Sequence, residues 1–148
     1  MRYWEDLEIG EVASYGAMPV QASEIAEFAR EYDSPAWEGM HRAASTAAPV
    51  ASRWQVCGFC MRLLVEHALD HSTSMGSPGV QHLRWLRPVR AGDVLSLRQT
   101  MLRKAPHPHR PQVGFIDFRF ELCNQRGEVV MWMESSGMLR RRPHPEGA

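Results

Sequence analysis

The sequence has 148 residues, which is enough for one compact domain and too few for two ordinary ones. Hydrophobic residues make up 44% and charged residues 23%, proportions that are normal for a soluble globular protein. The 17 Lys and Arg residues balance the 17 Asp and Glu residues, so a dedicated nucleic-acid binder, which usually carries a basic excess, is not expected.

The apolar residues and the cysteines bear on where the protein resides. No apolar stretch approaches the roughly 18 residues that a membrane-spanning helix needs. The segment Met1–Gly10 lacks the basic and then apolar pattern of a secretory signal. The three cysteines are too few for a disulfide scaffold. We therefore expect a cytoplasmic protein with reduced thiols and no membrane partner.

Residues 21–32 are predicted to form a helix that leads into an ordered loop. Four apolar residues recur at the i, i+3, i+4 and i+7 spacing of one helix face: Ile25, Phe28, Ala29 and Tyr32. The segment Asp33–Gly39 contains a Ser-Pro pair and ends on glycine, which favours a loop over a regular element.

A second and longer helix is predicted from about Pro49 to Leu69. Its apolar residues cover one stripe and much of the other side: Val50, Val56, Trp54, Cys57, Phe59, Cys60, Met61, Leu63, Leu64 and Ala68. A helix with this pattern is buried on most sides, so we expect other elements to surround it. The pair Cys57 and Cys60 is interpreted as two small core residues, because no second pair completes a zinc site.

Four strands are predicted in the second half of the chain: Gly79–Leu86, Asp93–Arg103, Val113–Cys123 and Glu128–Leu139. The last three follow one another through short turns, which predicts an antiparallel sheet. A long buried helix with a curved antiparallel sheet is an α+β arrangement, and a sheet wrapped around a central helix has the hot-dog geometry. We therefore predict one hot-dog domain over residues 1–148, with a disordered tail at 143–148.

Several stretches of the chain also match a known family. They are the opening YWEDLEIG of Tyr3–Gly10, the start of the long helix at Val50–Trp54, and above all LRWLRPVRAGD at Leu83–Asp93. With these stretches the chain resembles the MaoC-like acyl dehydratases, the hot-dog group that includes the (R)-specific enoyl-CoA hydratases. The resemblance covers nearly the whole chain.

The resemblance implies a hydratase or dehydratase that acts on an acyl-CoA or acyl-carrier thioester. It also implies a homodimer, since hot-dog sheets of the family pair edge to edge, with the substrate channel at the subunit junction. A lone sheet of this size would otherwise leave edges that need covering. No cofactor is implied beyond coenzyme A as part of the substrate, and no metal.

Three positions carry the implied catalytic roles. In the family an aspartate is followed five residues later by a histidine, and a glycine opens the central helix with its N–H facing the thioester oxygen. This chain has Asp33 at the aspartate, Glu38 at the histidine and Arg53 at the glycine. Two carboxyl groups can still hydrate an enoyl thioester if one is neutral and the other ionised, and Arg53 keeps its backbone N–H.

Six further residues are predicted to contact the substrate: Trp37, His41, Ser52, Trp54, Gly76 and Arg110. Trp37 would set an apolar ring beside the carboxyl groups, and His41 would supply an imidazole if residues 39–45 are helical. Arg110 suits the phosphates of coenzyme A because a guanidinium binds phosphate through two hydrogen bonds, although a solvated hairpin connection explains it equally well. The basic run at 140–142 would suit the same role.

Two alternatives to hydration remain open. Because the family's histidine and glycine are replaced, the protein would hold an acyl thioester without turnover. Because hot-dog folds also host thioester hydrolysis, and a carboxylate can activate water, a thioesterase is the other alternative.

Overall fold

The computed structural model describes residues 1–33 and 48–143. These residues form two helices and five strands: β1 Val12–Pro19, α1 Ala22–Tyr32, α2 Arg53–His67, β2 Gly79–Trp85, β3 Val94–Pro106, β4 Val113–Cys123 and β5 Val129–Arg140. Single 3₁₀ turns lie at Trp4–Asp6 and Leu69–His71. In these ranges no helix is long and apolar enough to cross a membrane.

The strands form one antiparallel sheet in the order β1-β3-β4-β5-β2. The predicted succession of β3, β4 and β5 is confirmed. Gly127 closes the turn between β4 and β5 at a φ of 74°, and its N–H donates to the carbonyl of Asn124 at 3.0 Å. Strand β1 was not predicted, because Gly16 and Pro19 interrupt a short sequence with weak apolar alternation.

The hydrophobic core lies between α2 and one face of the sheet. Helix α2 contributes one buried face: Val56, Phe59, Cys60, Leu63 and Leu64. The sheet contributes alternating residues of β3 and β4 and two consecutive residues of β5: Leu95, Leu97, Phe120, Leu122, Val130 and Met131. Ile25 attaches α1 to the same core. This curved antiparallel sheet packed on a long helix is the predicted α+β hot-dog fold.

The expectation that α2 is buried on most sides is wrong for one of its faces. Trp54 is 67% exposed and Met61 is 48% exposed, and a spacing of seven residues sets them on the same side of the helix. This side lies next to the edge strand β2, since the Trp54 ring packs edge to face on Trp85, with ring centroids 5.3 Å apart. Among the described residues, β2 is the last strand of the sheet, and no further strand covers this face of the helix.

Candidate functional site

Asp33 follows directly after the last residue of α1. Its N–H donates to the carbonyl of Ala29 at 3.0 Å, which closes the helix, and its side chain is partly exposed. Gln55 of α2 donates its Nε2 to the carbonyl of Glu24 at 2.9 Å. This hydrogen bond holds α1 against α2, and because Asp33 directly follows α1, it helps to position Asp33.

Helix α2 begins without a side-chain cap. Ser52 is the N-cap residue, but its hydroxyl accepts no hydrogen bond from the first turn. The N–H groups of a first turn carry the positive end of the helix dipole, so this terminus suits a negative charge. Arg53 is exposed, and its carbonyl accepts a hydrogen bond from Trp85 Nε1 at 2.8 Å. Its guanidinium lies 5.9 Å from the centroid of the Trp85 ring.

The predicted substrate-binding residues that the structure describes do not gather at one end of the chain's sheet. Trp85, beside Ser52–Trp54, pairs with Met131 near the start of β5. Gly76 lies near the end of β5, where its carbonyl accepts the N–H of Met138 at 2.9 Å. Seven residues of a strand span roughly 23 Å. Gly76 is therefore well separated from the N-terminus of α2 within one chain.

Arg110 lies in the connection between β3 and β4 and is exposed. Its carbonyl accepts the N–H of Val113 at 2.9 Å, and Val113 pairs with Arg140 at the far end of β5. Arg110 thus belongs to the same end of the sheet as Gly76. No ion pair joins Arg53 to Asp33 within the described residues. Trp37, Glu38 and His41 lie outside the described residues.

Two of the three arginines in the basic run at 140–142 are paired with carboxylates of the N-terminal segment. Arg141 pairs with Glu5 at 3.2 Å, and Arg142 pairs with Asp6 at 2.6 Å. Arg141 also lies over the ring of Trp4, 5.0 Å from its centroid. These contacts hold the segment that follows β5 against the N-terminal segment, and the phosphate role of the basic run stays a prediction.

A cavity of about 690 Å³, which the sequence does not predict, lies between α1 and α2. Six of the residues that line it matter here: Glu24, Phe28, Tyr32, Gln55, Phe59 and Arg62. Arg62 Nη1 lies 3.0 Å from Glu24 Oε1. Glu24 Oε2 and Gln55 Oε1 are buried and receive no hydrogen bond. The signal available in the sequence was Gln55, a polar residue inside an otherwise apolar helical segment.

The cysteines of α2 agree with their interpretation as core residues. Cys60 is fully buried, and burial raises the pKa of its thiol to about 12. Burial also raises the pKa of the Cys57 thiol. Both thiols therefore stay protonated and poorly nucleophilic near neutral pH. No group of three or more His, Cys, Asp and Glu residues is placed to hold a metal in the part of the chain that the structure describes.

Solved structures show what this chain is similar to. A MaoC-like dehydratase from Rhodospirillum rubrum is 31% identical, with a TM-score of 0.85, over 97% of this chain and 100% of that one. A monoamine oxidase regulatory protein from Archaeoglobus fulgidus is 25% identical, with a TM-score of 0.81, over 96% of both chains.

A third similar structure bears on the fold alone. It is a protein from Mycobacterium tuberculosis with a double hot-dog fold, 20% identical, with a TM-score of 0.79. The match covers 99% of this chain and 46% of that protein. No family model and no curated protein matches the sequence.

Proposed function

This chain belongs to the family of MaoC-like dehydratases, and from that premise we propose that it adds water to an enoyl thioester or catalyses the reverse dehydration. The acyl group would be carried by coenzyme A or by an acyl carrier. The single observation that carries the proposal is the full-length similarity to the Rhodospirillum rubrum dehydratase. The proposal assigns the role of the family's catalytic aspartate to Asp33.

The proposed reaction needs two carboxyl groups and one set of hydrogen-bond donors. Asp33 and Glu38 would share the acid and base roles: one removes a proton from water as its oxygen bonds to the β-carbon, and the other gives a proton to the α-carbon. Negative charge develops on the thioester oxygen during this step. The uncapped first turn of α2, at Ser52 and Arg53, supports the assignment of the donors to that terminus.

The proposal predicts that the purified protein consumes enoyl thioesters through Asp33. We expect absorbance at the enoyl-thioester band to fall with crotonyl-CoA and longer enoyl-CoAs. Replacing Asp33 by Asn removes the ionisable group at nearly unchanged volume and should lower kcat by at least about a hundredfold. Asp70→Asn is the matched control, because Asp70 is exposed in the 3₁₀ turn after α2 and should leave the rate unchanged.

Three outcomes would count against hydration. If the wild type and Asp33→Asn are equally inert at every chain length, the proposal is wrong. Tight binding of acyl-CoA without turnover would favour a binding protein, the alternative that Arg53 at the glycine position supports. Release of free thiol from a saturated acyl-CoA would favour a thioesterase.

We also propose that the protein is a homodimer that associates through β2. Strand β2 is the last strand of the sheet and has no partner on its outer side within the described residues. Val80 in β2, Leu86 just after it and Trp54, which packs on Trp85, are exposed apolar side chains at this edge, and Met61 is exposed on the same side of α2 as Trp54. Unpaired edges and contiguous apolar surface mark association sites. Antiparallel pairing of two β2 strands would bring the Gly76 end of one protomer towards the Trp85 end of its partner.

A further inference from the structure

The stretch Leu83–Asp93, which stands out in the sequence, holds the chain that leads into α2. The N–H of Ala51 donates to the carbonyl of Val89 at 2.8 Å. The carbonyl of Pro49 accepts the N–H of Ala91 at 3.0 Å. The approach to α2 is therefore paired with this stretch just before the helix begins.

One residue of the same stretch, Trp85, contacts the first turn of the helix itself. Its indole Nε1 donates to the carbonyl of Arg53 at 2.8 Å, and Arg53 is the first residue of α2. The Trp85 ring is partly buried against the hydrophobic core, and the Trp54 ring packs on it edge to face. Packing thus holds the Trp85 ring while its N–H is directed at the start of α2.

The hydrogen bond from Trp85 also acts on the N–H of the next residue. The carbonyl of Arg53 and the N–H of Trp54 belong to one peptide group, which is planar. Helix ends fray, so a hydrogen bond to this carbonyl restrains the direction of the Trp54 N–H. Within residues 1–33 and 48–143 no acceptor is bonded to that N–H, and the Ser52 hydroxyl does not cap it. A hydrogen bond accepted by the carbonyl of a peptide group makes the N–H of the same group a stronger donor.

We propose that Trp85 is a positioning residue, which directs the Trp54 N–H at the thioester oxygen beside the N–H of Arg53. Two successive N–H groups would then stabilise the negative charge that develops on this oxygen in the transition state. The inference rests on the proposed function, which assigns the donors to this terminus. It adds a second donor and the side chain that orients it, and in this role Trp85 does not touch the substrate.

The test compares two substitutions of Trp85 in the full-length protein, assayed with crotonyl-CoA and longer enoyl-CoAs. Trp85→Phe keeps a six-membered aromatic ring and removes the N–H. Trp85→His loses the six-membered part of the indole, but its Nε2–H lies as many bonds from Cβ as the indole Nε1–H does. Packing alone therefore favours Trp85→Phe, whereas hydrogen-bond donation favours Trp85→His.

We expect Trp85→Phe to lower kcat about tenfold and to leave KM within about twofold, because the weakened interaction acts in the transition state. The loss is smaller than the roughly hundredfold to thousandfold loss caused by deleting an oxyanion donor, since the Trp54 N–H is still present. Trp85→His should keep kcat within about threefold of the wild type, because the donor to Arg53 is retained.

Trp4→Phe is the matched control, because it removes an indole hydrogen bond of the same length. Trp4 Nε1 donates to the carbonyl of Phe115 at 2.8 Å. Phe115 pairs with Met138 near the end of β5, whereas Trp85 pairs with Met131 near its start. Trp4→Phe should lower the midpoint of urea denaturation and leave kcat unchanged.

Three results would overturn the inference while the proposed function stands. They are an unchanged kcat in Trp85→Phe, a lower kcat in Trp85→His than in Trp85→Phe, and a fall in kcat of Trp4→Phe equal to that of Trp85→Phe. Circular dichroism identifies a variant of Trp85 that does not fold, and the kcat and KM of the other variant then decide. If the wild type consumes no enoyl-CoA of any chain length, the proposed function fails together with the inference.

Discussion

Gly114 in β4 is the position where the N-terminal segment packs on the sheet. A Cβ placed there would meet three atoms of the Trp4 ring, so only glycine admits the indole. The indole Nε1 donates to the carbonyl of Phe115 at 2.8 Å, and Lys104 Nζ lies 4.4 Å from the ring centroid. The Trp4 indole therefore packs directly against Gly114. The sequence does not predict this contact, because the two residues lie 110 positions apart in the chain.

Replacing Gly114 by Ala should destabilise the protein, because the new methyl group displaces Trp4. We expect a loss of about 1–3 kcal/mol in the free energy of unfolding, measured by urea denaturation. Gly58→Ala is the matched control: a Cβ there meets nothing within 4 Å, and alanine favours a helix interior by about 0.5–1 kcal/mol. The two substitutions should shift the midpoint in opposite directions, and a shared direction would contradict the packing argument.

At the scale of elements, helix α2 joins three features of the molecule. Its buried face supplies the core, its first turn is the candidate donor terminus, and Gln55 fastens it to α1. The apolar pattern of residues 49–69 predicted a helix, because periodicity is a local property of sequence. It did not predict the exposed side at Trp54 and Met61, because the reach of the sheet depends on strand order.

Cys60, at the centre of α2, predicts a loss of stability in alkali. Burial raises the pKa of the folded thiol from 9.0 to about 12, so folding keeps this group protonated. The stabilisation is complete below about pH 9 and is lost as pH rises towards 12, because the unfolded thiol ionises first. The linkage amounts to about 1.4 kcal/mol at pH 10.

Denaturation at pH 8 and pH 10 measures this effect. Cys60→Ala should be less stable at both values but should lose less stability between them, since the other titrating groups are unchanged. If the wild type and Cys60→Ala lose the same stability between pH 8 and pH 10, the Cys60 thiol does not contribute to the loss of stability in alkali.

At the scale of the whole molecule, the proposed dimer covers the outer edge of β2 with a second copy of the chain. The proposed dimer predicts a sedimentation mass of twice the 16.9 kDa of one chain. Met61→Glu introduces a charge on the exposed side of α2 and should yield monomers. Val12→Glu is the matched control on the opposite sheet edge, where Val12 is 56% exposed in β1, and should remain dimeric. A wild type that sediments as a monomer would rule out the β2 interface.

The sequence by itself determined the two helices, the succession of β3, β4 and β5, the fold class and the candidate Asp33, because these follow from local periodicity, turn residues and short matching stretches. Only the tertiary structure decided that Gly76 lies far from Ser52, that Arg141 and Arg142 pair with Glu5 and Asp6, and that Glu24 and Gln55 meet at a cavity. Each of these joins residues distant in the chain, and such contacts depend on strand order and helix packing, which local sequence does not encode.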